Sequence, residues 1–535
     1  MGIFDLSIAY ARKMPRKFPN SPEDKAATSA VSAQLSAKFQ QALSLQRQGK
    51  LAHAQFIYEK ILKTQPRHFN ALNLLGVIAA QTNDPRKAVQ WFEKALNVDP
   101  KSAVAYGNRG SALHKLEQFD AALASFDQAL AINPDQADAL LNRGNLLKDL
   151  GQYHAALASY DRAIAVKPNY AEAFSNSGFV LKELGRLDAA LARYDRAIAL
   201  EPGYVSAHCN RAFTLLLAGD FEHGWIDYEW RRKLDNKSRF TQPLWLGEQS
   251  LAGKTILLHS EQGFGDTLQF CRYAKLVVAL GARVILEVQR PLVTLLAGLG
   301  GVSQVIAQGN ALPTFDYQCP LMSLPLAFKT RLDTIPFPTT YLKSGAAKVA
   351  HWQSRLGERA KPRVGLVWSG RITHQNDPNR SIVLADLIPY LPTDCQYVSV
   401  QKDVREPDER TLKLNPNILN VADELADFSD AAALCACMDV VVSVDTSVAH
   451  LSAALGLETW ILLPFNPEWR WLLERSHSPW YASARLYRQK KMGDWSGILA
   501  QVKLDLMRLP ETGSGRKISL TEGCPTPSNR GGVPQ

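Results

Sequence analysis

AVAYGNRGSALHKLEQFDAALASFDQALAINP (103–134) and ADALLNRGNLLKDLGQYHAALASYDRAIAVKP (137–168) are consecutive copies of one pattern, offset by 34 residues. The offset continues in both directions. Pro66, Pro100, Pro134, Pro168 and Pro202 are evenly spaced, and Gly76, Gly110, Gly144 and Gly178 keep the same step. Twelve residues after each glycine stands Ala88, Ala122, Ala156 or Ala190. Phe92, Phe126, Tyr160 and Tyr194 come next, followed by Ala95, Ala129, Ala163 and Ala197. Small residues let two antiparallel helices approach, the aromatic ring fills the space between them, and proline ends the second helix.

A column of this kind at a 34-residue step resembles the tetratricopeptide repeat. The first copy begins near Ser36, with Ala42, Ala54, Tyr58 and Pro66 in register. Six helix pairs are expected, running to about Lys237. The last is degenerate: Ala212, Gly224 and Tyr228 hold their columns, but no proline closes it. The segment FEHGWIDYEWRRK (221–233) takes its place, and its tryptophans are expected to dock the solenoid onto the next domain. Asn108, Asn142, Asn176 and Asn210 form one further column, on the helix that lines the groove of such a solenoid. Mid-helix Asn costs up to about 0.7 kcal/mol against Ala. Two explanations stand side by side: a ladder of amides gripping a peptide backbone, or hydrogen bonds between neighbouring helices.

The chain has 535 residues, 46% hydrophobic and 21% charged, the balance of a folded protein with several domains. Its net charge of +10 is spread among acidic residues, which favours a solvated surface or an anionic ligand over nucleic acid. The longest apolar runs are far too short to span a membrane. MGIFDLSIAYARKMPRKFPN (1–20) lacks a signal-peptide core, and Leu6 stands where a myristoylation signal wants Ser or Thr. The seven cysteines are scattered, with no CxxC pair, so neither a zinc site nor a disulfide framework is indicated. A reducing cytoplasm is the expected compartment.

From Thr255 onward the rhythm changes. TILLHS, RVILEVQ, VGLVWS, QYVSVQ, VVVSVD and TWILLPF are short β-branched runs separated by amphipathic stretches. Such alternation predicts an α/β fold with parallel sheets. The segment from Tyr341 to Arg363 interrupts it. The reading is therefore a lead-in (1–34), an α-solenoid (35–238), two α/β halves (239–350 and 362–508) and an unfolded Gly/Pro/Ser-rich tail (509–535).

Three stretches could carry chemistry. SEQGFGDTLQF (260–270) comes directly after a strand; Gly263 and Gly265 permit a tight turn, and Asp266 is either a helix cap or a carboxylate aimed into a cleft. It lacks the third glycine of a dinucleotide fingerprint. VVVSVDTSVAHLSAALG (440–456) ends a strand at Asp445 and starts a helix at Thr446 or Ser447, whose free N–H groups suit a phosphate. His450 lies one turn in, as a ligand contact or as a packed helix residue. VGLVWSGRITHQNDPNRSI (364–382) offers Ser369, Gly370 and Arg380, with Arg371 as a competitor, for the same anion. No DxD pair and no His/Cys/carboxylate set has metal-ligand spacing, so no metal site and no bound cofactor are expected.

Together these motifs resemble GT-B glycosyltransferases, most closely the heptosyltransferase-like family. There Gly-Asp opens the first helix of one half and Asp-Thr-Gly-x-x-His opens a late helix of the other. Here they read Gly265–Asp266 and Asp445–Thr446–Ser447–Val448–Ala449–His450. The resemblance implies a metal-independent transferase with Asp266 as general base. It implies Ser369, Gly370, Arg380, Asp445, Thr446, Ser447 and His450 as contacts to a nucleotide-sugar co-substrate. Ser447 stands where the family has Gly. The whole chain is similar to bacterial tetratricopeptide repeat proteins with such a carboxy-terminal domain, and in architecture to O-linked N-acetylglucosamine transferases, whose solenoid presents protein acceptors. A flagellin-like acceptor and self-association through the solenoid are compatible with it. Two alternatives remain open: a scaffold without catalysis, and an enzyme acting on lipopolysaccharide sugars.

Overall fold

The computed structural model describes residues 22–234, 239–337, 339–373 and 376–509. The chain divides into two compact units, Met1–Leu215 with Ile226–Asn236, and Leu216–Trp225 with Lys237–Gln535.

Five helical hairpins lie wholly in the first unit: α1 (Pro22–Arg47) with α2 (Leu51–Thr64), α3 (Phe69–Gln81) with α4 (Pro85–Leu96), α5 (Ala103–Lys115) with α6 (Phe119–Ile132), α7 (Ala137–Asp149) with α8 (Tyr153–Val166), and α9 (Ala171–Glu183) with α10 (Leu187–Leu200); the next two helices, α11 (Val205–Ala218) and α12 (Phe221–Tyr228), are divided between the units. Each proline of the column falls just beyond the end of a second helix, where it cannot continue the hydrogen-bond ladder. Helix α1 starts at Pro22, inside the span read as lead-in. Residues 1–21 of that span lie outside the described residues, as do 510–535 of the expected tail.

The glycine column has a steric cause. A Cβ on Gly144 would stand 2.5 Å from the Tyr160 ring, and one on Gly76 2.5 Å from Phe92. At Gly110 and Gly178 the corresponding gap is 2.7 Å. The buried ring thus occupies the place of the missing side chain. Gly144→Ala is expected to overpack this contact and lower stability by about 1–3 kcal/mol, read as the urea midpoint of the helical signal. Gly151→Ala bears instead on a positive φ of 70° with open space around it, and separates strain from crowding.

A column not singled out from the sequence ties successive helices together. Arg109 reaches Glu93 and Ser125, Arg143 reaches Asp127 and Ser159, and Arg211 reaches Asp195 and Asp227. Where Ser177 replaces the arginine, Arg193 pairs with Asp161 instead. The terminal hairpin also buries His208, stacked 3.7 Å from Trp230 and hydrogen-bonded to Asp227. Trp225, by contrast, packs in the second unit, against Trp469 and Trp480, and its indole N–H donates to the Thr330 carbonyl.

The second unit holds two parallel sheets. The first is four-stranded, in the order β3 (Val302–Ala307), β2 (Arg283–Val288), β1 (Thr255–His259), β4 (Tyr317–Pro320). The second is six-stranded, in the order β10 (Ala484–Arg488), β9 (Thr459–Leu463), β8 (Val440–Val444), β5 (Arg363–Val367), β6 (Gln396–Ser399), β7 (Ile418–Asn420). β5 and β8, central in the second sheet, are buried along their whole length, which is why they read as mostly apolar runs with no alternation. The helix Ala346–Leu356 crosses the expected boundary at 350. Val349, Trp352 and Leu356, on one of its faces, pack into the core beneath the second sheet. The interruption in the strand rhythm is thus an amphipathic helix belonging to the second half.

Candidate ligand cleft and solenoid groove

Strand order places the motifs. In the second sheet the chain runs outward from β5 through β6 and β7, then returns to β8 on the other side, so β5 and β8 flank a topological switch point. Loops leaving the carboxyl ends of such strands form the ligand crevice of open α/β sheets. They are the loop of Ser369–Gly370 and the loop of Asp445–Thr446. In the first sheet β1 flanks the corresponding point beside β4, and its loop carries Gly263–Asp266.

Around the switch point the predicted residues converge. Arg380 Nη1 donates to the Asp445 carbonyl at 2.9 Å, and its guanidinium lies on Gly370, where a Cβ would stand 2.5 Å from Nη2. Gly370 is required by this approach. Gln401 holds the Ser369 backbone from both sides, accepting from its N–H and donating to its carbonyl. Ser369 Oγ and Arg380 Nε are buried atoms without a hydrogen-bond partner. Arg371 is exposed. Arg405, which the sequence did not single out, anchors the loop through the Gly370 carbonyl and Asp377.

The helix Ser447–Ala454 begins as expected, with Thr446 at the N-cap position. Thr446 Oγ1 pairs with Ser443 Oγ rather than capping a backbone N–H, so the first amides of the helix have no side-chain cap. His450 is buried, its Nδ1 on the Tyr481 hydroxyl at 2.8 Å, its ring stacked on Trp471, and its Nε2 4.0 Å from Asp445. Burial, then Arg470, Arg272 and Arg380, hold it neutral, well below the usual imidazole range. The unfolded chain therefore binds the extra proton first, and stability falls as pH drops below about 6.5. Glu468 acts oppositely: desolvation and Asp445, against Arg470, push its carboxyl up to about 7, so its contribution is lost as pH rises toward that value. In a Glu468→Gln background, His450→Gln is expected to flatten the acid side of the stability–pH curve measured by urea unfolding.

The helix α13 (Phe264–Phe270) corrects the reading of Asp266. Gly263 is the N-cap, with an ordinary φ of −71°, and Asp266 lies three residues in, accepting from the Gly263 N–H at 2.8 Å. Gly265 is needed for close approach rather than for a turn: a Cβ there would stand 2.8 Å from the His450 ring. The other Asp266 oxygen is ion-paired with Arg470. Arg470 and Glu468, in the loop after β9, are the residues of this cleft that sequence reasoning missed.

The asparagine column lies on the helices α5, α7, α9 and α11. Asn108, Asn142 and Asn176 are half-buried, and their amides donate to Asn73, Ser111 and Asn145 on the preceding hairpin. These NH₂ groups knit neighbouring helices, the second of the two explanations for the column. Asn210 is likewise half-buried. Phe179 lies between Lys148 and Lys182 on the same set of helices.

Residues 39–106 match a family described as Tetratricopeptide repeat, 91–124 a second of that description, and 110–151, 144–185 and 180–219 one described as TPR repeat. The first unit is a tetratricopeptide repeat scaffold for protein interaction. Protein FlbA of Caulobacter vibrioides is 26% identical over 318 residues, covering 54% of this chain and 52% of that protein. The chain thus spans about half the length of that relative. Among solved structures, MamA is 26% identical over 31% of this chain and 92% of its own, with a TM-score of 0.28. PilW, a type IV pilus biogenesis factor, is 25% identical over 38% and 93%, with a TM-score of 0.32. Among the described residues no helix is long and apolar enough to cross a membrane.

Proposed function

We propose that the protein is a metal-independent glycosyltransferase that moves a sugar from a nucleotide-sugar donor to a protein held by the repeats. One observation carries this reading. At the β5/β8 switch point, the loops leaving the two strands carry a close-approach glycine, a buried unpartnered hydroxyl, an arginine that joins them and an uncapped helix N-terminus, all suited to a diphosphate. Asp266 supports it as the acceptor's base, since its neighbour Gly265 on α13 packs on His450 of the Ser447 helix. In the reaction the acceptor oxygen bonds to the anomeric carbon as the bond from that carbon to the phosphate oxygen breaks. The diphosphate leaves with the bonding electrons, stabilised by Arg380 and the Ser447 amides, and the acceptor proton passes to Asp266. Transfer of label from nucleotide sugars to proteins captured by the repeats tests this; nucleotide released with no labelled protein would replace the acceptor assignment.

A second reading, a scaffold whose transferase-like unit no longer turns over, is favoured by the occupancy of Asp266. Both its oxygens are engaged, one accepting from the Gly263 N–H and one paired with Arg470, so each must give up a contact before it can take a proton from an acceptor. Nucleotide binding without release of nucleotide from any sugar donor would select it.

A further inference from the structure

Arg470 has no part in the transfer step, yet it is the most heavily engaged side chain of the cleft. It is buried, and its guanidinium donates to the carboxylate of Asp266, to Gln269 Oε1 and to the carboxylate of Glu468. Its backbone N–H donates to the other Glu468 oxygen at 3.0 Å. The guanidinium carbon stands 4.4 Å from the Trp469 ring centroid and 5.6 Å from that of Phe270. Asp266 and Gln269 both lie on α13, whereas Glu468 and Arg470 leave the carboxyl end of β9 in the other sheet. The three acceptors are met by three different nitrogens of one planar fork, Nε, Nη1 and Nη2; the donors of a lysine ammonium radiate from a single nitrogen and do not span them.

We infer that Arg470 is the positioning residue of this cleft, fixing Asp266 in one orientation across from the Asp445–Ser447 turn and tying α13 to the second half. The base role of Asp266 rests on the glycosyltransferase reading; the coupling of α13 to Arg470 does not. Gly265 agrees with this role. Its contact with His450 brings α13 against the Ser447 helix, and His450 stacks in turn on Trp471, the neighbour of Arg470.

The test uses the full chain with Arg470→Ala and Arg470→Lys and two readouts. In Arg470→Ala, amides of residues 264–270 are expected to exchange hydrogen faster, while the strands of both sheets keep wild-type protection. Nucleotide-sugar turnover is expected to fall about 100-fold, the cost of a misplaced reacting group, with nucleotide affinity unchanged. Added methylguanidinium should restore part of the turnover in Arg470→Ala, and Arg470→Lys should stay low. Wild-type exchange over 264–270 in Arg470→Ala, or loss of protection spread evenly through the unit, would overturn the inference. If the wild type itself shows no turnover, the transferase reading fails, and the exchange pattern in Arg470→Lys, which preserves charge and fold, still decides whether Arg470 holds α13.

Discussion

Arg272→Ala is expected to destabilise the second unit by about 3–5 kcal/mol, the range for truncating a large, fully buried side chain to alanine. Arg272 is fully buried and none of its partners is a carboxylate. Its Nε donates to the Gln269 carbonyl, Nη1 to the carbonyls of Trp480 and Pro336, and Nη2 to the Tyr341 hydroxyl. The rings of Tyr341, Tyr481 and Trp480 surround the cation, at 4.5, 4.7 and 5.5 Å from its central carbon. Charge here is dispersed over carbonyl dipoles and aromatic faces. Alanine removes the donor to each carbonyl and leaves a cavity among the rings, and both losses act together. Urea unfolding monitored by tryptophan fluorescence reads this unit, because all but Trp91 and Trp230 of the eleven tryptophans belong to it. A shift under about 1 kcal/mol, the size of one ordinary hydrogen bond, would mean that the arginine is not a structural bridge.

Asp266→Asn is expected to lower turnover by about 10²- to 10⁴-fold, the usual contribution of a positioned general base, with nucleotide affinity unchanged. The amide matches the carboxylate in shape and can still accept from the Gly263 N–H, but it cannot take a proton at neutral pH. The assay is release of nucleotide from the sugar donor, measured beside nucleotide binding. Turnover at the wild-type level would remove Asp266 from the base role.

What made each element legible in the sequence is a matter of its physics. The repeats were readable because one steric demand, a ring against a glycine, recurs at a fixed step. Central strands were readable because burial on both faces leaves mostly β-branched apolar residues, as in 440–444, where Ser443 is the one polar residue. β3, β4, β7 and β10 were not read. β3 and β10 mix exposed or half-exposed residues with buried ones, and β7 is only three residues long. In the cleft, Ser369, Gly370, Arg380 and Asp445 were found because each directly succeeds a strand or shares its loop. Arg470 was missed although it too lies after a strand, since in NPEWRWLLE (466–474) its meaning comes from α13, about two hundred residues away. Gly265 was noticed for the wrong reason: a neighbouring side chain, His450, and not a tight turn, demands the absence of a Cβ there.

Thermal unfolding of the full chain with UDP, ADP, GDP, TDP and CMP, beside Arg380→Ala and Ser369→Ala, tests the central claim most directly. A nucleotide present at about 100 times its dissociation constant adds about 2.7 kcal/mol to the state that binds it. The expected result is a shift by one of the five that is lost in Arg380→Ala and reduced in Ser369→Ala. The absence of a shift with all five, or an equal shift in both variants, would contradict a nucleotide-sugar site at the β5/β8 switch point.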